Sequence, residues 1–71
     1  MEEQNQATKD TIIKLKKFMF AHNMTQKDIC RSGLVSYPYL NNVMNGKRNF
    51  SERMIYHIDE FLQNYESQDN Q

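Results

Sequence analysis

The chain has 71 residues and a formal net charge of zero, which makes one small domain that buries only about 60% of its chain surface and has no room for a deep catalytic cleft. The single Cys30 excludes an internal disulfide, and with the distant His22 and His57 it does not make a zinc site of the usual spacing, so neither a metal nor a cofactor is expected. No leader-like start and no apolar run of about 18 residues is present, so the expectation is a soluble, cytoplasmic, non-enzymatic chain held together by an apolar core.

Both ends are polar. Residues 1–8 and 66–71 are expected to be mobile tails around a folded domain at 9–65. Nothing alternates apolar and polar as a strand would, and the apolar residues recur at helical spacing instead. The first helix is expected from about Thr8 to His22, with Ile12, Leu15, Phe18 and Met19 facing inward and Asn23 stopping it. Its Lys9, Lys14, Lys16 and Lys17 fall on the remaining faces. Thr25 reads as the N-cap of a short second helix, about Gln26 to Ser32, and Asp28 three residues on resembles a capping box. Ile29 and Cys30 point inward, and Gly33 ends the element. Ser36 caps a third helix, with Pro38 in its first turn, where a missing amide costs nothing. Leu40, Val43 and Met44 form its inner stripe, and Asn45-Gly46 closes it. A loop at 47–50 leads to Ser51, the cap of a fourth helix ending near Tyr65. Its wide apolar face holds Met54, Ile55, Ile58, Phe61, Leu62 and Tyr65. The fold class is therefore all-α, a compact bundle of four, or at most five, helices in which the second and third form a tight pair.

The third helix carries the candidate function. With Leu40, Val43 and Met44 turned inward, the helical wheel turns Pro38, Asn41, Asn42 and Asn45 outward, with Tyr37 and Tyr39 at the flanks. Asparagine pairs bidentately with the N6/N7 edge of adenine, a contact worth about 1–3 kcal/mol of discrimination. Lys47 and Arg48 follow directly. The bland alternatives are a polar solvent face and an ordinary charged loop.

The run Met24-Thr-Gln-Lys-Asp-Ile-Cys, followed by Val35-Ser-Tyr-Pro-Tyr-Leu-Asn-Asn-Val-Met-Asn-Gly-Lys-Arg-Asn-Phe-Ser51, resembles the lambda-repressor-like helix-turn-helix family of Cro and repressor type. The likeness spans roughly Ile12 to Leu62. It implies a small phage or prophage regulator that docks the helix at 36–45 into the DNA major groove. It also implies base contacts from Tyr37, Pro38, Asn41 and Asn42, and phosphate contacts from Gln26, Asn45, Lys47 and Arg48. Three departures stand out. Met19 and Met44 occupy positions where the family often pairs Arg with Glu. Gly33-Leu34 precedes Val35 where the family has Gly alone. The chain stops after the fourth helix, whereas many members add a fifth that helps them dimerise.

The charge is unevenly placed. Residues 9–53 hold all nine Lys and Arg against Asp10, Asp28 and Glu52, a net +6, while residues 1–8 carry −2 and residues 54–71 carry −4. A basic body with acidic ends suits a phosphate-facing surface. The expected partner is thus a double-stranded DNA operator. Ile55, Phe61 and Tyr65 are open to three readings: core, a homodimer face, or a face for a partner repressor. The last would make the chain an antirepressor or modulator with weak DNA binding of its own.

Overall fold

Asn5 starts the first helix, its side chain accepting a hydrogen bond from the Thr8 amide at 2.8 Å. The structure is a computed structural model that describes residues 3–69. Among them it contains four helices and no strand: α1 (Gln6–Ala21), α2 (Gln26–Arg31), α3 (Tyr37–Met44) and α4 (Glu52–Asp69).

Local chemistry explains each boundary. At the end of α1, Asn23 takes a φ of 55°, a left-handed conformation that asparagine tolerates better than most residues. The Met24 amide then reaches back to the Met19 carbonyl at 2.8 Å. Thr25 and Asp28 close a reciprocal capping box at the start of α2. The backbone amide of Thr25, then its hydroxyl, hold the Asp28 carboxyl below its ordinary pKa. A lowered carboxylate pKa stabilises the fold at neutral pH, and that contribution fades as pH falls through the lowered value. Ser36 precedes α3 without a side-chain cap, and Pro38 lies in the first turn. At the other end, the Gly46 amide bonds the Val43 carbonyl and the Lys47 amide bonds the Asn42 carbonyl, at 3.0 and 2.8 Å. Gly46 sits at φ 81°, so this double closure uses the residue that pays no steric cost there. Ser51 caps α4 by accepting from the Met54 amide at 3.1 Å.

α1 packs along α4, and α2 packs against α3. Their shared core is Leu15, Phe18, Ile29, Val35, Leu40, Val43, Phe50, Ile58 and Leu62. Ile12, Met19, Cys30, Met44, Ile55, Phe61 and Tyr65 are half-buried against it. Burial pushes the Cys30 thiol pKa up, which suits a packing residue more than a nucleophile. At one end, Tyr65 meets Phe18 edge-on with ring centres 5.0 Å apart, and Phe61 meets the same ring at 5.8 Å. These two α4 aromatics therefore pack inward, the first of the three readings left open for them. His22, the C-cap of α1, lies 4.8 Å from the Tyr65 ring.

Helices reach into both expected tails: α1 begins at Gln6 and α4 ends at Asp69. Within residues 1–8, Met1 and Glu2 lie outside the described residues, but Gln4 is half-buried. Thr8 is fully buried, and its hydroxyl accepts the Phe50 amide at 3.0 Å. Composition alone hides this, because the partner is a buried amide 42 positions away. At the other end, α4 continues through Asp69, past the expected stop at Tyr65; residues 70 and 71 lie outside the described residues. Replacing Thr8 with valine keeps the shape but strands the Phe50 amide. An orphaned buried donor costs about 1–3 kcal/mol, so T8V is expected to lower the urea midpoint by that equivalent, whereas T8S should lose less.

Candidate nucleic-acid interface

Leu40 and Val43 are completely buried, and Met44 is half-buried beside them. This fixes the rotation of α3 about its axis. The opposite face presents Pro38 and Asn45 to solvent, with Asn41 and Asn42 partly exposed. Among the described residues, no hydrogen bond engages the side-chain amides of Asn41, Asn42 or Asn45, nor does either of the first two hide an unsatisfied buried atom. Three amides, each with two donors and an acceptor, are thus left available along one helix face. Tyr37 is 42% exposed at the start of α3 and lines a shallow depression with Lys27, Cys30 and Arg31 of α2.

The two cations after α3 are held differently. The backbone of Lys47 is fixed by its bond to the Asn42 carbonyl, while its side chain is exposed. The Arg48 guanidinium lies over the Tyr39 ring, 4.3 Å from the centroid. Tyr39 is itself held: its hydroxyl accepts the Ser51 amide at 3.1 Å, and its ring stacks on Phe50 at 6.2 Å. The sequence placed Tyr39 only at the flank of the outward face. The structure makes it a platform for Arg48, and nothing in the local pattern announces that role.

A second unannounced feature is the start of the chain. The Gln4 side-chain amide donates to the Val43 carbonyl at 2.7 Å and to the Arg48 carbonyl at 2.9 Å. The Asn5 amide donates to the Asn49 side chain at 2.8 Å. Together with Thr8, these residues brace the loop that carries Lys47 and Arg48. Glu3 lies in the same depression as both cations, so a negative charge already flanks them.

Gln26 opens α2 and is half-buried, with its side-chain oxygen buried and unpaired. What it can offer an anion is therefore its amide nitrogen and its backbone N–H. α2 spans only six residues, so its dipole adds little to that offer. Of the remaining cations, Lys27 and Arg31 are exposed on α2, with Arg31 3.7 Å from Asp28, and Lys14 of α1 is turned to Asp59 of α4 at 3.5 Å. The sequence-predicted residues Tyr37, Pro38, Asn41, Asn42, Asn45, Lys47 and Arg48 thus lie on α3 and the loop after it, with Gln26 on the helix packed against α3.

Among the described residues, no group of three His, Cys, Asp or Glu side chains is placed to hold a metal ion, and no helix is long and apolar enough to cross a membrane. In comparisons with protein-family models, curated proteins and solved structures, the chain matches none.

Proposed function

We propose that this chain is a sequence-specific DNA-binding transcriptional regulator, a lambda-repressor-like helix-turn-helix domain in which α2 and α3 are the two motif helices and α3 enters the major groove. One observation carries the reading. Leu40 and Val43 are sealed in the core, which fixes the rotation of α3, and its opposite face leaves the Asn41, Asn42 and Asn45 amides without a partner among the described residues. A major groove admits a helix of this kind, and its base edges offer the donors and acceptors such amides need. In this reading Tyr37, Pro38, Asn41 and Asn42 face bases. Gln26, Asn45, Lys47 and Arg48 face phosphates, with the cations supplying the salt-dependent part of affinity. A single copy makes few such contacts, so a pair of copies on half-sites about 34 Å apart is the expected bound form.

The experiment is selection of duplexes from a random pool, followed by titration of the selected duplex and a scrambled one at several salt concentrations. A selected sequence bound at least about 10³-fold tighter than the scramble supports the proposal. Equal affinity for both sinks it.

A second reading is favoured by the charge distribution. The net charge is zero, and α4 carries Glu52, Asp59, Glu60, Glu66 and Asp69, which weakens attraction to DNA and suits a protein partner. The chain would then be an antirepressor or modulator that binds a repressor through this fold. It predicts co-elution with a repressor encoded beside its own gene, together with DNA affinity no better than that of a non-specific competitor. No co-elution counts against it.

A further inference from the structure

Two outward helix faces remain unused by the core and by α3. On α1, Lys9, Ile13, Lys16 and Phe20 are all exposed, Ile13 to 51% and Phe20 to 90%. Their spacing of i, i+4, i+7 and i+11 puts them on one face. A single exposed apolar residue is ordinary. Two on one face, alternating with lysines, form an amphipathic stripe. On α4, Glu52, Tyr56 and Glu60, at i, i+4 and i+8, set one large ring between two charges of the opposite sign, and Tyr56 is 62% exposed. The Tyr56 hydroxyl donates to the Glu60 carboxylate at 2.9 Å, which orders the acidic end of this stripe.

The two stripes match in length as well as charge. Seven residues separate Lys9 from Lys16, and eight separate Glu52 from Glu60; at about 1.5 Å per residue both span roughly 10–12 Å. Each has a large apolar side chain between its charges. We infer that the α1 stripe is a docking surface for the α4 stripe of a second copy of this chain. Pairing α1 with α1 sets lysine against lysine, and pairing α4 with α4 sets glutamate against glutamate, so a two-fold contact through either stripe is repelled. The contact sets α1 of one copy against α4 of the next; it closes into a reciprocal pair or a ring where the rotation between copies allows and extends where it does not. The patch is small beside a standard interface of about 1,600 Å², so free copies associate weakly, with a dissociation constant on the order of 1 mM. Copies already held side by side would feel it most strongly, through their raised effective concentration.

The test uses the whole chain and two charge-reversed variants, K9E/K16E and E52K/E60K, in sedimentation velocity at protein concentrations up to about 1 mM and at low salt. Every reversed residue is exposed, and circular dichroism melts establish that both variants fold. The wild type is expected to sediment faster as concentration rises, and to lose this behaviour in about 1 M salt. Each variant alone is expected to remain monomeric, because its two stripes carry the same sign. An equimolar mixture of the two is expected to associate at least as strongly as the wild type, since every pairing of one variant's α1 with the other's α4 is complementary. A wild type that stays monomeric at the highest concentration overturns the inference. So does association that the reversals leave intact, or a mixture that stays monomeric.

Discussion

Leu40→Ala is expected to cost about 2–5 kcal/mol of stability, because a fully buried leucine loses both its transfer free energy and the packing around the void it leaves. A domain of this length holds roughly 4–10 kcal/mol in total, so L40A is expected to be partly unfolded or close to it at 37 °C. Urea denaturation followed by circular dichroism measures the loss. The control is Asn41→Ala, one position along and on the far side of the wheel, which should stay within about 0.5 kcal/mol of the parent. Equal losses for the two variants would mean that α3 is not seated by one face. The orientation of every proposed base contact would then be wrong.

The second large effect is electrostatic. Lys47 and Arg48 sit in a braced loop, one with its backbone tied to Asn42 and the other laid on the Tyr39 ring. In the proposed DNA-binding reading, replacing both with alanine removes two phosphate contacts. The salt dependence of DNA binding is then expected to flatten by about 2 in the log–log slope, with affinity falling for all duplexes alike. Fluorescence anisotropy at several salt concentrations reads this directly. An unchanged slope would remove the loop from the interface. Because the Arg48 side chain rests on Tyr39, Tyr39→Leu should reproduce part of the Arg48 effect without changing charge.

Most of the architecture was legible in the residues because it rests on short-range chemistry. Thr25 and Asp28 lie three apart and made their box; Asn23 and Gly46 took the left-handed conformations their types suggested; Leu40 and Val43 turned inward as their spacing required. The misreadings share a different cause. Gln4, Asn5 and Thr8 looked like a polar tail because their partners, Val43, Arg48, Asn49 and Phe50, lie about 40 positions away. Polar side chains carry no periodic signal for such contacts. Thr8 and Thr11 are buried where apolar residues were expected to do the packing. The Thr11 hydroxyl satisfies itself on the Ala7 carbonyl at 2.8 Å, which lets a polar residue sit inside α1 without an unpaired group. Of the interface, the residues on one helix face could be read from a wheel. The Tyr39 platform and the Gln4 brace could not, since each depends on how the α3–α4 loop folds back.

The outward face of α3 is tested most directly by measuring specificity instead of affinity. Asn41→Ala and Asn42→Ala are titrated with the selected duplex and with its scramble, and the ratio of the two dissociation constants is compared with the parent's. Each substitution should shrink that ratio by about 5- to 150-fold, the equivalent of 1–3 kcal/mol for a bidentate base contact, while binding to the scramble barely changes. If the ratio stays where it was in both variants, these amides do not read bases.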